Sequence, residues 1–157
     1  MSVIGARLVE LGLVLPSVAA PAANYVPFTR SGTTVYIAGQ VCVRDGKATH
    51  TGKVGRDLDV SAGQAGARVC ALNMLGVLNM ACGGNLDLVR RCLKLTGFVN
   101  SDPDFADVPL VVNGASDLIV QVFGEAGRHA RSAVGVAALP RGVAVEIEGI
   151  FELADEQ

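Results

Sequence analysis

An α+β layer sandwich, a mixed sheet covered by helices on one face and bare on the other, follows from three features of this 157-residue sequence. Its patterns run helix, three strands, long helix, strand, helix, two strands, which mixes hairpins with crossovers and supplies only two principal helices. The longer of these has a wide apolar face and a single charge, so it is buried on more than one side. The final strand alternates: Val143, Val145 and Ile147 point one way, Ala144, Glu146 and Glu148 the other. If the helices cover the valine face, Glu146 points toward whatever meets the open one.

In chain order, an amphipathic helix over about Val3 to Leu11 places Ile4, Leu8 and Leu11 on one side and Arg7 and Glu10 elsewhere. Leu11 to Leu15, followed by alanines, has the pattern of a signal-peptide apolar region. Glu10 and Pro16 interrupt it, and the helix accounts for the same residues. Pro16 to Ala23 is a Pro/Ala connector. Tyr25 to Arg30 reads as a strand, Ser31-Gly32 as a turn and Thr34 to Ala38 as its antiparallel partner, ended by Gly39-Gln40. Val41 to Val43 continues beyond this glycine bend as a third strand, Arg44 to Lys47 has turn chemistry, and the polar stretch to Asp57 is a loop or loose hairpin. Asp59 and Ser61 both suit the N-cap of a helix from about Ala62 to Ala81. Gly83-Gly84-Asn85 stops it. Leu88 to Val99 is a strand, and a second main helix starts near Asp107 or Val112 and runs to Phe123. Gly124 to Gly127 closes that helix. Two strand-like runs, Arg131 to Val136 and Val143 to Glu148, then form a hairpin about the Leu139-Pro140-Arg141-Gly142 turn.

Residues 1–157 read as one domain, with 1–23 the N-terminal helix and connector and 24–153 the core. Half of the residues are apolar, yet aromatics make up 4% and tryptophan is absent, so Val, Leu, Ile and Ala must fill the core. Nineteen glycines favour close packing of elements. A positive mean hydropathy without a spanning segment implies apolar surface covered by another subunit. Thirteen basic and fifteen acidic residues are mixed along the chain, for a net charge of −2, so the basic stripe that nucleic-acid binding needs is missing. Cys42, Cys70, Cys82 and Cys92 have neither metal-binding nor redox spacing and read as buried, reduced hydrophobes, which suits a cytoplasmic protein. No metal-ligand cluster is visible.

The terminal segment carries the chemistry. Arginine presents a planar fork that matches a carboxylate, so Arg131 on a strand is a candidate anion clamp, with Glu146 a candidate carboxylate beside it. Tyr25-Val26, Ile37-Ala-Gly-Gln40, Ala130-Arg-Ser132 and Leu139-Pro140 followed by Val145-Glu-Ile-Glu148 together resemble the Rid family of reactive-intermediate deaminases, once also labelled endoribonuclease L-PSP or translation inhibitors. The resemblance runs from about Asn24 to Leu153. It implies a chorismate-mutase-like two-layer α+β fold, a homotrimer with ligand clefts between subunits, and hydrolysis of 2-imino or enamine acids to 2-keto acids and ammonia without metal or organic cofactor. It makes Arg131 the clamp for the substrate carboxylate, Gly39 a backbone N–H donor to it, Tyr25 an aromatic wall at the subunit boundary and Glu146 a water-orienting carboxylate.

The departures matter equally. Ala38 stands where active relatives usually have Ser, Ala133 where they have Cys, and Gly135 where an acidic residue is common. Asn113 and Asp117 are both candidates for the family asparagine on the second main helix. The retained clamp with an altered lining marks a divergent branch. The leading expectation is an imine/enamine deaminase acting on a small carboxylate metabolite, with no nucleic-acid or membrane partner. The rival is a non-catalytic trimer that senses such a carboxylate, and a ribonuclease ranks last. His50 and His129 read as solvated loop histidines, although His129 would share the face of Arg131 if the strand reached it.

Overall fold

A computed structural model describes residues 2–18, 20–21 and 23–155; Ala19 and Ala22 of the connector lie outside the described residues. Helix α1 spans Val3–Glu10, close to expectation, with the Ser2 side chain accepting from the Gly5 amide. The Asp87 carboxylate accepts from the Val3 and Ile4 amides at 2.9 and 2.8 Å, which occupies two of the donors that a helix start leaves open. Strand β1 covers Phe28–Ser31 and β2 Thr34–Val41. Tyr25 lies ahead of β1 rather than within it, because Pro27 precedes the first paired residue and cannot donate to a ladder. The expected third strand is reduced to a two-residue hairpin, β3 Val43–Arg44 with β4 Lys47–Ala48, outside the main sheet.

Helix α2, Val60–Ala81, takes Asp59 as its cap, the carboxylate accepting from Ala62 N at 2.8 Å, so Ser61 falls inside the helix. It packs on β2 and β7 below and on α3 beside it. The connector lies close over it too: a methyl at Gly76 would sit 2.7 Å from the Pro16 carbonyl oxygen. Strand β5 runs Val89–Asn100, α3 Val108–Phe123, β6 Ala130–Val136 and β7 Val145–Leu153.

The main sheet has the order β1-β2-β7-β5-β6. All its pairs are antiparallel except β5 with β6, which is parallel. The terminal hairpin expected from the sequence is therefore absent. Strand β5 lies between β6 and β7, and α3 is the crossover that a parallel pair requires. The alternation of the last strand holds, with Val145, Ile147, Gly149, Phe151 and Leu153 buried under the helices and Glu146, Glu148, Ile150 and Glu152 on the other face. Ala144 is also buried, but it precedes the strand.

Long-range bonds tie the polar loop after β4 to the β6–β7 connection. Lys53 Nζ donates to Asn100 Oδ1 and the Ala137 carbonyl, and Asn100 Nδ2 donates to the Val143 carbonyl. The four cysteines are buried and unpaired. Among the described residues, no helix is long and apolar enough to cross a membrane.

Within the helical layer α2 and α3 approach closely, where a Cβ at Gly114 would lie 2.8 Å from the Gln64 carbonyl carbon. Backbone cannot yield as a side-chain tip can, so Gly114→Ala should destabilise the fold by about 2 kcal/mol. The check is a lowered urea midpoint with an unchanged m-value.

Candidate functional site

The β5–α3–β6 crossover lays α3 over the first residues of β6, and this places Arg131. Arg131 pairs with the buried Leu95, and paired residues of a parallel ladder share a face, so its side chain lies on the helix side of the sheet. There Nη1 donates to Asn113 Oδ1 at 2.8 Å and to Ser116 Oγ at 3.2 Å, and Nη2 reaches the Pro109 carbonyl at 3.4 Å. All three acceptors are neutral. Among the described residues no carboxylate pairs with the guanidinium, and Nε makes no hydrogen bond. The fork is thus held in place by neutral groups, with its charge uncompensated and donors to spare among the described residues.

A cavity of about 280 Å³ opens beside it, lined by Ser116, Asp117, Val120, Arg128, His129 and Arg131. Both helix candidates are therefore at the site in different ways: Asn113 binds the arginine, while Asp117 lines the cavity. His129 departs from expectation. It is half-buried, Nδ1 lying 2.6 Å from the Gly127 carbonyl and Nε2 2.9 Å from Ser116 Oγ. A carbonyl only accepts, so Nδ1 carries the hydrogen, and Nε2 accepts from the Ser116 hydroxyl. Burial lowers the His129 pKa below the usual histidine value; the Gly127 carbonyl opposes this, and the Arg131 charge adds to it. His50 keeps a polar-loop role, with Nδ1 against Thr49 Oγ1.

Glu146 is elsewhere. It pairs with Val41 on one side and Phe98 on the other, and it points from the open face. Arg131 is in register with the inward Leu95 and Glu146 with the outward Phe98, so the two side chains occupy opposite faces, with β5 between their strands, and do not meet within one chain. Gly39 does meet Glu146. The β2–β7 register slips between Ile37↔Gly149 and Gln40↔Ile147, leaving Ala38 and Gly39 together opposite Glu148 as a bulge. A methyl on Gly39 would run into the Glu146 carboxylate, 3.0 Å from Cδ. Burial raises the Glu146 pKa, and the neighbouring Glu148 raises it further. No hydrogen-bond or ion-pair partner of Glu146 is found among the described residues.

Tyr25 is exposed and leads into β1, at the far edge of the sheet from β6. Four strand spacings of about 4.8 Å put those edges roughly 19 Å apart. Ala133 follows Arg131 on the same face, and Gly135 follows in turn. A Cβ at Gly135 would lie 2.6 Å from Ser101 Oγ, so the Ser101 side chain takes the space that a longer residue would need. Among the described residues, no group of three His, Cys, Asp or Glu is placed to hold a metal.

A mixed sheet with helices on one face, carrying an edge-strand arginine under its crossover helix and a carboxylate on the bare face, defines a chorismate-mutase-like α+β protein. A family profile described as "YjgF/chorismate mutase-like, putative endoribonuclease" matches residues 5–146, and the chain belongs to that family, a divergent branch of the Rid proteins it resembles in sequence. It is 50% identical over 151 residues to Protein TCP17 of Trypanosoma cruzi, covering 96% of this chain and 94% of that one. The crystal structure of Atu1372, a protein of unknown function from Agrobacterium tumefaciens, matches with a TM-score of 0.88 at 50% identity, over 96% of this chain and 92% of that one. A "putative endoribonuclease" structure from Shewanella oneidensis matches with a TM-score of 0.91 at 35% identity, over 96% and 99% of the two chains.

The raised Glu146 pKa has a consequence for stability. A carboxyl whose folded pKa exceeds its unfolded one leaves stability intact below the unfolded value and removes it as pH rises through the folded value. Glu146→Gln should therefore melt higher than the wild type at pH 7. The gap should close below the ordinary glutamate value of 4.5, as thermal melts at pH 7 and below that value would show.

Proposed function

We propose that the protein hydrolyses small 2-imino or enamine acids to 2-keto acids and ammonia, in clefts where one copy supplies Arg131 and the next supplies Glu146, Gly39 and Tyr25. The observation that carries this reading is the Arg131 guanidinium, fixed by Asn113, Ser116 and the Pro109 carbonyl yet left without a counter-charge. Such a fork grips a substrate carboxylate in a bidentate way. The imine carbon next to that carboxylate is already electrophilic, so catalysis needs mainly placement, a water and a path for protons. Glu146, half-buried and unpaired among the described residues, orients the water. The Gly39 backbone N–H adds a donor to the carboxylate, and the Tyr25 ring walls the cleft.

Self-association, as a homotrimer, supplies what one chain lacks. The two halves of the site face opposite ways, and the bare sheet face exposes Tyr36 and Val134 for a neighbour to cover. A cytoplasmic setting accords with four cysteines left as thiols.

A second reading, a trimer that binds small carboxylates without turnover, is favoured by Ala38 and Ala133, which leave a hydroxyl and a thiol out of the lining. Ammonia and keto-acid release from freshly generated 2-iminobutanoate decides between them. Turnover supports the deaminase. Thermal stabilisation by 2-ketobutanoate with no turnover selects the binding protein.

In the deaminase, Arg131→Ala should lower kcat/KM roughly 10- to 100-fold, since hydrogen bonds to a charged group contribute about 1.5–3 kcal/mol. Equal activity in wild type and variant would reject the clamp. Gly39→Ala pushes against a flexible carboxylate rather than backbone. It should lower kcat while moving the melting temperature little, and steady-state kinetics beside a thermal melt test both.

A further inference from the structure

We propose that Ser116 and His129 form a proton relay at the Arg131 clamp, in which the Ser116 hydroxyl takes a proton from the attacking water as it passes its own to His129 Nε2. This deepens the deaminase reading and rests on it.

The geometry has the parts that a base needs. Ser116 Oγ lies 2.9 Å from His129 Nε2, and the ring is held in one tautomer by the 2.6 Å bond from Nδ1–H to the Gly127 carbonyl. A reactive hydroxyl, a base within hydrogen-bond reach and a third group that orients the base is the arrangement by which side chains move protons. Ser116 also accepts from Arg131 Nη1 at 3.2 Å, so the hydroxyl sits beside the group that grips the carboxylate. In a 2-imino acid the reacting carbon is bonded directly to that carboxylate. Ser116, His129 and Arg131 line one cavity, which leaves room for a small substrate. The helix carries Ser116, the strand carries Arg131, and His129 sits just ahead of the strand.

The proton balance closes. Water adds to C2 of the protonated imine; its oxygen forms the C–O bond while the C=N π pair becomes the lone pair of the amino nitrogen. The proton that water loses moves through Ser116 to His129. The carbinolamine nitrogen then takes that proton back by the same route, the C–N bond breaks with its electron pair leaving on ammonia, and the hydroxyl proton passes to the ammonia as C=O forms. The products are keto acid and ammonium, and His129 returns to its neutral form.

The relay requires neutral His129. The charged groups around the ring are Asp117 from α3, Arg131 from β6, and Arg128 and Glu125 from the turn between them, the last two ion-paired at 2.9 Å. Burial lowers the pKa of the ring and the Arg131 charge adds to this, both in favour of the neutral imidazole.

The experiment is the pH profile of 2-iminobutanoate hydrolysis by wild type, Ser116→Ala, Ser116→Thr, His129→Gln and Glu146→Gln, with melting temperatures beside it. The wild-type rate should fall on the acid side as His129 takes a proton. Ser116→Ala and His129→Gln should lower kcat by about 100-fold and abolish that acid limb. Ser116→Thr should restore both, and Glu146→Gln should retain the limb. If Ser116→Ala and His129→Gln keep the wild-type kcat and limb, or alter KM alone, the relay is overturned while the deaminase stands. Should His129→Gln fail to fold, Ser116→Ala and Ser116→Thr decide the outcome by the same criteria. No hydrolysis by the wild type at any pH overturns the deaminase and the relay together.

Discussion

The parallel pairing of β5 with β6 is the constraint on which the site depends. Parallel neighbours cannot be joined by a tight turn, so the chain must leave the sheet after Asn100 and return through α3. That return lays α3 across the edge strand. A guanidinium on that edge would otherwise be a solvated charge with many rotamers. Here Asn113 and Ser116 fix it with side-chain oxygens, and Pro109 does so with a carbonyl near the helix start. Three neutral acceptors hold the group without cancelling its charge, as a carboxylate in their place would.

The same topology explains which parts of the fold were legible in the sequence. Helix α2 was, because Asp59 can cap it and its apolar face is wide, with buried residues from Gly63 to Leu78. The inward set of β7 was, because period-two alternation needs no knowledge of the neighbours. The pairing of β6 was not. A turn such as Leu139 to Gly142 looks the same whether its strands pair directly or admit a third between them, and only the long-range partner, β5, decides. Strand β5 itself blurred its inward face, since register shifts between Val89 and Arg91 and between Cys92 and Lys94 break the alternation. Cys92, Leu95, Gly97 and Val99 face the helices, whereas Phe98 faces out.

Arg131, Gly39 and Glu146 could be singled out as candidates because each sits in a recognisable local run. Ser116 could not. Nothing local separates it from any other serine on an amphipathic helix, and its partner His129 is 13 residues away across the crossover. The available signal was His129 two places before Arg131, which matters only if that segment continues toward the strand under α3. Gly135 is a similar case: the missing acid reads as lost chemistry, whereas Ser101 shows that the space beneath is already filled.

The division of polar groups between two faces bears on why the chain is so apolar at its surface. The helix-covered face holds its arginine against two side-chain oxygens and a carbonyl at the helix start, whereas Glu146 stands on the opposite face. The bare face can hold Glu146 with a raised pKa only where something restricts water, and within one chain Phe98 and the Gly39 bulge do this in part. Full desolvation would need a cover, and the apolar residues left on that face, Tyr36 and Val134 among them, are those a second copy would bury. Joining an α3–β6 edge to a neighbour's bare face would put a fixed positive charge opposite a carboxyl reluctant to ionise, the arrangement that the proposed clefts require. In the proposed cleft, neither group could satisfy the other without displacing what lies between, which would favour a ligand that carries a carboxylate of its own.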